Sequence, residues 1–240
     1  MKAFYHFSTL TGLCQYERLF KYVGNIANKQ LRILDWGCGN GWFSYYLYQQ
    51  GFSNVISYGY GWDAIDAARK FLPRLEYVDG ERAELSNPSE LPFPDESFDF
   101  VFSVGVLEHV HETGGDQLLS MREISRVLRS GGRFFCYHLP NRYTWIEFIK
   151  GLFATSKSTF YLHTRKFDGR AIRDLATKSG LTIEKIGRYN LLPYNIHRST
   201  SFDGRIPAAL YTFLDNALLI TPLGHLAQCY MFEATKQENA

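Results

Sequence analysis

The residues with the clearest chemical potential lie between Asp35 and Trp42, in the sequence DWGCGNGW. Glycines occupy alternate positions there, at Gly37, Gly39 and Gly41. Glycine tolerates positive φ and lets the backbone approach a ligand closely. An apolar run precedes the segment and an aromatic, helix-like run follows it. In open α/β sheets, ligands bind where a strand ends and a helix begins. The pattern therefore indicates a cofactor-binding loop.

The spacing of these glycines argues against two common ligands. In the dinucleotide fingerprint G-x-G-x-x-G, the third glycine would fall on Trp42, a bulky residue where helix and strand must pack closely. A phosphate loop would continue with Lys-Ser or Lys-Thr, and neither pair follows. A pyrophosphate ligand, and with it a dinucleotide-dependent oxidoreductase, is disfavoured.

Four histidines are candidates for a general base: His109 and His111 in LEHVHE, His138 in YHLPN and His163 in YLHTRKF. Neutral imidazole has a pKa range suited to accepting a proton near neutral pH. His138 is the preferred catalytic base because it ends a predicted strand, and His109 is the second choice. The alternative for His138 is a hydrogen-bonded anchor of its loop.

The elements that must position these residues alternate in type along the first 140 residues. Apolar runs predict strands at LRILDW, NVISYG, LEYV, FDFVFSVGVL and RFFCYHL. Between them, helices are predicted at WFSYYLYQQG, WDAIDAARKFL and GDQLLSMREISRVLRSGG, the last ending at Gly131. This alternation predicts an α/β fold, with a parallel sheet and helices on both faces.

The remaining segments complete a predicted single domain over residues 1–240. An N-terminal helical cap is expected over 1–30, a cofactor-binding core over 31–140, and an acceptor-side lid with the last strands over 141–235. The last part contains helix-like runs at YTWIEFIKGLF, FDGRAIRDLATKSG and IPAALYTFLDNALLI, and strand-like runs at LTIEKIGRY and CYMFEATK.

Composition narrows the class of protein. A net charge of +2 gives no basic face, so no nucleic-acid partner is predicted. No uncharged apolar run approaches the roughly 20 residues of a membrane span, and no secretory signal is evident. The four cysteines are widely separated, so neither a zinc motif nor a disulfide framework is indicated. A cytoplasmic location is predicted, and nothing in the sequence indicates an oligomeric state.

The pattern D-x-G-x-G-x-G resembles the class I S-adenosylmethionine-dependent methyltransferases, in particular the type 11-like enzymes that act on small molecules. The resemblance continues through ELPFPDESFDFVFSVGVLEHV (90–110) and EISRVLRSGGRFF (123–135), so it covers roughly residues 30–140. It implies a Rossmann-like, seven-stranded, mostly parallel sheet and S-adenosyl-L-methionine as cofactor. It also implies that Asp35 helps to hold the loop and the cofactor's ammonium group.

The same resemblance implies where the cofactor is contacted. The expected contacts of the loop and of the end of strand four are Asp35, Gly37, Cys38, Gly39, Gly41 and Val104. The acid that holds the ribose in the family falls on Gly59. The nearest acid is Asp63, which could instead begin the next helix. After strand three, Asp79 is the expected adenine contact or an ordinary turn residue, with Glu84 as second choice.

The resemblance places the acceptor pocket after strand five, where Tyr143, Trp145 and Phe148 could form an apolar wall. A small-molecule, sugar or lipid-linked acceptor is expected, methylated on oxygen by in-line displacement, with nitrogen and carbon acceptors left open. Related quinone O-methyltransferases bind a metal with an additional Glu at the position of Gly105, so no metal is predicted. The alternative, motivated by Gly59, is an inactive methyltransferase-like binding protein in a biosynthetic complex.

Overall fold

Seven strands form one mixed sheet in the order β3-β2-β1-β4-β5-β7-β6 in this computed structural model. The structure describes residues 13–60, 70, 73, 75–83, 85–153, 163–193 and 207–237. Strands β1 to β5 pair in parallel, and β7 lies antiparallel between β5 and β6. The predicted mostly parallel, Rossmann-like sheet is therefore confirmed. The strands are β1 (Ile33–Trp36), β2 (Val55–Gly59), β3 (Glu76–Asp79), β4 (Phe98–Val104), β5 (Leu128–Pro140), β6 (Leu181–Tyr189) and β7 (Cys229–Lys236).

Helices follow most of the predicted amphipathic runs. They are α1 (Glu17–Gly24), α2 (Trp42–Gln49), α3 (Gln117–Val127), α4 (Trp145–Phe153), α5 (Gly169–Lys178) and α6 (Ala208–Leu219). Two of them begin at aspartate caps: Asp116 accepts backbone N–H bonds at the start of α3, and Asp168 does so at the start of α5. Most of the helix predicted at WDAIDAARKFL lies outside the described residues.

The predicted end of α3 at Gly131 is wrong. The helix ends at Val127, because Leu128 is already extended, with φ −71° and ψ 138°, and pairs with Phe98 of β4. Strand β5 therefore starts before the Gly131–Gly132 pair and continues through it. Pairing with a neighbouring strand outweighed the usual role of glycine as a helix stop.

Both faces of the sheet are covered, and β1 shows how. Leu34 and Trp36 face a cluster that includes Met121 of α3 and Ile172 of α5. Ile33 belongs to the opposite cluster, which contains core residues of α1 and α2. Successive side chains of a strand point to opposite faces, so a strand covered by helices on both sides is apolar throughout.

The two helices α4 and α6 each expose several large apolar side chains. Phe148 and Leu152 of α4 and Phe213 of α6 are each about two-thirds exposed, at 70%, 67% and 66%. Within the described residues, no helix is both long enough and apolar enough to cross a membrane.

Candidate cofactor and acceptor site

A pocket of about 220 Å³ opens at the carboxyl ends of β1, β2 and β4. Its walls come from the loop after β1, the end of β2, the loop that carries Glu90, and the segment after β4. This is the edge at which open α/β sheets bind ligands. Its lining residues include Gly37, Gly39, Gly59, Glu90, Val106 and His109.

The glycine loop has the conformation that its sequence predicted. Gly37, Gly39 and Gly41 all have positive φ, at 75°, 50° and 74°. The amides of Gly37 and Cys38 donate to the carbonyl of Tyr58, at 2.8 and 2.9 Å, and this fastens the loop to the end of β2.

Two of these glycines are required for different steric reasons. A Cβ on Gly37 would lie 2.5 Å from Val106 Cγ1, and closer still to Cγ2, so the backbone passes against this side chain. A Cβ on Gly39 would meet no described atom within 4 Å, and Gly39 lines the pocket. The loop therefore keeps open a space that a side chain at position 39 would enter. Such a backbone cradle suits a cofactor without phosphate, as the sequence pattern indicated.

Asp35 lies beneath the loop and is almost fully buried. Its Oδ2 accepts a hydrogen bond of 2.5 Å from Ser44 Oγ on α2, and Ser44 Oγ lies 2.7 Å from Ser57 Oγ on β2. Burial raises the pKa of the Asp35 carboxyl to about 7. Asp35 thus joins β1 to α2 and supports the loop from below. The contact with a cofactor ammonium stays a prediction, and a positive charge nearby would favour the ionised carboxylate.

Cys38 and Val104 lie close to the pocket but are not among its lining residues. Cys38 is buried in the cluster shared with α1 and α2, and Val104 packs against the same cluster. Side chains alternate along a strand, and that of Val104 points to the face covered by α1 and α2. The pocket wall after β4 is formed by Gly105 and Val106 instead.

The end of β2 has a steric reason for carrying glycine. A Cβ on Gly59 would lie 3.3 Å from Cys38 Sγ and 3.7 Å from the Cys38 amide nitrogen. The contact with Sγ is tight, so a side chain at position 59 would require the Cys38 side chain to shift by a few tenths of an ångström, whereas the contact with the amide is an ordinary one. Asp63, the predicted replacement, lies outside the described residues, as does Glu84.

Asp79 makes the contacts of a turn residue. Its Oδ1 accepts the backbone N–H of Glu81 at 3.0 Å, and its Oδ2 lies 3.6 Å from Arg82 Nε. Asp79 is not among the pocket-lining residues, whereas Glu90 is. Sequence reasoning missed Glu90 as a site residue. The available signal was its place directly before LPF, in a segment that carried the family resemblance.

His138 occupies a distorted position in β5. The register with β7 shifts between Tyr137 and Leu139, and His138 has a φ of 79°. Bulges of this kind redirect a side chain, and positive φ in a residue other than glycine is a strain often found at functional sites. Nδ1 of His138 lies 3.0 Å from the Tyr189 hydroxyl, and the His138 ring lies 3.9 Å from the position of a Cβ on Gly105. His138 thus adjoins the pocket through Gly105, although it is not one of the lining residues.

His109 lines the pocket directly. Its Nδ1 lies 2.8 Å from Glu112 Oε1, and its Nε2 lies 3.8 Å from Glu108 Oε1. Burial raises the pKa of the Glu108 carboxyl to about 8. The ring of His163 lies 6.0 Å from that of His109. The structure therefore brings together three of the four candidate histidines, His109, His138 and His163, near one edge of the pocket.

The predicted aromatic wall does not form part of this pocket. Tyr143 is 57% exposed and Phe148 is 70% exposed. Trp145 instead donates from Nε1 to the Leu191 carbonyl at 2.7 Å, which ties α4 to the end of β6. An acceptor wall formed by these residues stays a prediction, as does the acceptor-side lid over residues 141–235.

The fold and the glycine loop define a class I S-adenosylmethionine-dependent methyltransferase domain. Residues 34–136 match the family model described as "Methyltransferase domain". The cofactor of the class is S-adenosylmethionine, as the sequence predicted.

Curated relatives include EEF1A lysine methyltransferase 4 of Mus musculus, which is 35% identical over 140 residues, covering 48% of this chain and 52% of that protein. The eEF1A lysine and N-terminal methyltransferase of Homo sapiens is 28% identical over 148 residues, covering 58% of this chain and 19% of that protein. The chain thus spans about half the length of the first relative and about a fifth of the second.

Two solved structures share the fold. A SAM-dependent methyltransferase from Methanosarcina mazei superposes with a TM-score of 0.62 at 17% identity, covering 91% of this chain and 98% of that one. A S-adenosylmethionine-dependent methyltransferase from Mesorhizobium loti gives a TM-score of 0.57 at 19% identity, covering 92% and 97%. At this level of identity, the likeness concerns the fold.

Proposed function

We propose that this protein transfers the methyl group of S-adenosylmethionine to a hydroxyl oxygen of a small-molecule, sugar or lipid-linked acceptor. The observation that carries the proposal is the cradle at Gly37 and Gly39, with His109 in the same pocket and His138 beside it. The bound cofactor supplies an electrophilic methyl group: the carbon–sulfur bond breaks with its electrons going to sulfur, and a carbon–oxygen bond forms.

The residues of the chain have separate roles in this proposal. The loop backbone at Gly37 and Gly39 holds the methionine part of the cofactor, and Asp35 supports that loop. Glu90 accepts hydrogen bonds from cofactor hydroxyls, because a carboxylate in the pocket wall can take the place of the acid that is absent at Gly59.

A histidine accepts the proton that leaves the acceptor hydroxyl. His138 is the first choice, since Tyr189 orients its ring and the strained backbone directs it to the pocket edge. His109 is the second choice. Its bond to Glu112 puts a proton on Nδ1, because a carboxylate can only accept there, and this makes Nε2 the basic nitrogen.

A second candidate is methylation of a protein lysine. It is favoured by the curated relatives, whose names describe lysine methylation of eEF1A. A lysine must lose a proton before it attacks the methyl group, so the same histidines could serve. In this case the exposed apolar side chains of α4 and α6 would contact the protein acceptor rather than a lipid.

Calorimetric titration with S-adenosylmethionine, S-adenosylhomocysteine and NAD tests the cofactor part of the proposal. Binding of the first two, without binding of NAD, is expected. Glu90→Gln should weaken binding about tenfold, whereas Glu81→Gln, an exposed glutamate outside the pocket, should leave it unchanged. Absence of binding by the unaltered protein would overturn the enzyme proposal and favour the inactive binding protein.

Transfer of a labelled methyl group then separates the two acceptor classes. Hydroxyl-bearing small molecules and eEF1A are offered in parallel, and release of S-adenosylhomocysteine is followed. Labelling of a small molecule at oxygen supports the first candidate. Labelling of eEF1A at lysine contradicts it and supports the second.

A further inference from the structure

Glu108, His109 and His163 form a cluster at the edge of the pocket. One possible ligand atom from each lies within 4.8 Å of the others. Glu108 is only 2% exposed, and its Oε2 has no hydrogen-bond partner in the described part of the chain. A buried polar atom without a partner is costly, so an unpartnered oxygen on a carboxyl group that lies beside two imidazoles points to a cation-binding site.

Both imidazoles of the cluster are oriented by a carboxylate. His109 Nδ1 bonds Glu112 Oε1 at 2.8 Å, and His163 Nδ1 bonds Glu147 Oε1. A carboxylate accepts, so each Nδ1 carries the proton and each Nε2 presents a lone pair. Histidine ligands of metal ions are usually held by such a second bond to a carboxylate, which fixes both the tautomer and the ring orientation.

The charges around the cluster favour a cation. Three carboxyl groups, those of Glu108, Glu112 and Glu147, lie around the two imidazoles. One ammonium balances part of this charge, since Lys166 Nζ lies 2.6 Å from Glu147 Oε2. The acidic groups around the cluster thus outnumber this ammonium, which suits a bound cation.

We propose that Glu108, His109 and His163 bind a divalent transition-metal ion, with Zn²⁺ the best match. Two imidazole nitrogens and one carboxylate oxygen are a usual three-residue set for zinc and leave a fourth position open to water or an acceptor. The ligand atoms must converge to about 3.4 Å from one another around a tetrahedral ion, which side-chain rotation can provide. Metal binding does not depend on the methyl transfer proposed above.

The proposal differs from the sequence-based prediction of no metal. That prediction rests on Gly105, which stands where related quinone O-methyltransferases have an additional Glu. In the structure, the third ligand is His163, from the segment between α4 and α5, and nothing in the local spacing around Glu108 indicates it.

The test is calorimetric titration of the chelator-treated, dialysed protein with Zn²⁺, with Co²⁺ absorption as a second readout. One equivalent should bind with a micromolar or lower Kd, and Co²⁺ should give the spectrum of a tetrahedral site. Glu108→Gln and His163→Ala should each weaken Zn²⁺ binding at least tenfold. Glu112→Gln should weaken it by about 10- to 100-fold through the orientation of His109.

The control is His225→Ala, which removes an exposed histidine outside the cluster and should leave Zn²⁺ binding unchanged. S-adenosylhomocysteine binding is measured for every variant, so that loss of the metal site is distinguished from loss of the cofactor pocket or of the fold. Absence of Zn²⁺ binding would overturn the proposal. Binding that survives in Glu108→Gln and His163→Ala would also overturn it, as surface binding elsewhere.

Discussion

Replacement of single glycines in the loop after β1 should separate stability from cofactor binding. In Gly37→Ala, an L-residue at a φ of 75° costs about 1–2 kcal/mol. The new methyl group would also lie 2.5 Å from Val106 Cγ1, and overpacking of this kind costs a further 1–3 kcal/mol or so. We therefore expect Gly37→Ala to lower the free energy of unfolding by about 2–5 kcal/mol.

Gly39→Ala should behave differently. Its φ of 50° carries a similar backbone cost, but no described atom lies within 4 Å of the new methyl group. The free energy of unfolding should therefore fall by only about 1–2 kcal/mol. The methyl group projects from the pocket wall, so the affinity for S-adenosylhomocysteine should fall at least tenfold.

Urea denaturation without cofactor and calorimetry with S-adenosylhomocysteine measure the two effects. Val106→Ala in the Gly37→Ala background should recover part of the lost stability. Recovery should be incomplete because Val106 Cβ would still lie 2.9 Å from the new methyl group. Equal loss of stability in the two alanine variants, or no recovery on truncating Val106, would refute the steric reasoning.

Three further predictions concern a buried acid, a positioning hydroxyl and a loop anchor. Burial raises the pKa of Asp35 to about 7 from an ordinary value of 3.8, so this carboxyl should carry no stability penalty below about pH 4 and an increasing one as the pH rises to 7. In the cofactor-free protein, Asp35→Asn should therefore add up to about 4 kcal/mol more to the free energy of unfolding at pH 8 than at pH 4, measured by urea denaturation. An effect of Asp35→Asn that is equal at the two pH values would contradict the assignment. Tyr189→Phe should lower kcat and shift its pH profile while KM stays nearly constant, because the hydroxyl positions His138; a change in KM alone would speak for a structural role. Arg126 holds the loop next to Glu90 through bonds to backbone carbonyls and carboxylates. Arg126→Met should therefore lower the free energy of unfolding by about 2–4 kcal/mol in urea denaturation, and it should weaken cofactor binding in calorimetry. Unchanged cofactor affinity would show that the loop is positioned without Arg126.

The core of the fold was predictable because its signals are local. An apolar strand, a glycine loop and an aromatic helix follow one another within the twenty residues around Gly37, and the structure has them in that order. The strand at CYMFEATK was predicted with the bounds that the structure gives for β7. The alternate glycines indicated positive φ or a close approach of the backbone, and the structure has positive φ at all three.

The site was only partly predictable because its members come from separate elements. Asp79 ends β3 and Glu90 follows it, and the sequence favoured Asp79. Both acids accept a backbone N–H nearby, and only the fold shows that Glu90 lies in the pocket wall while Asp79 does not. In the same way, the sequence identified His109 and His163 separately, but it could not show that their rings lie 6.0 Å apart.

The sequence by itself determined most of the order of the strands and helices and the glycine loop, because these depend on contacts between near neighbours in the chain. The class of cofactor followed from the resemblance of the loop and of two further segments to a known family. Only the tertiary structure decided which acid lies in the pocket wall, that Cys38 packs closely against Gly59 at the end of β2, and that two histidines and a buried glutamate converge. Those features depend on packing between segments that are distant in sequence. Strand register and the path of the loops decide which distant side chains come into contact, and neither produces a local pattern in the sequence.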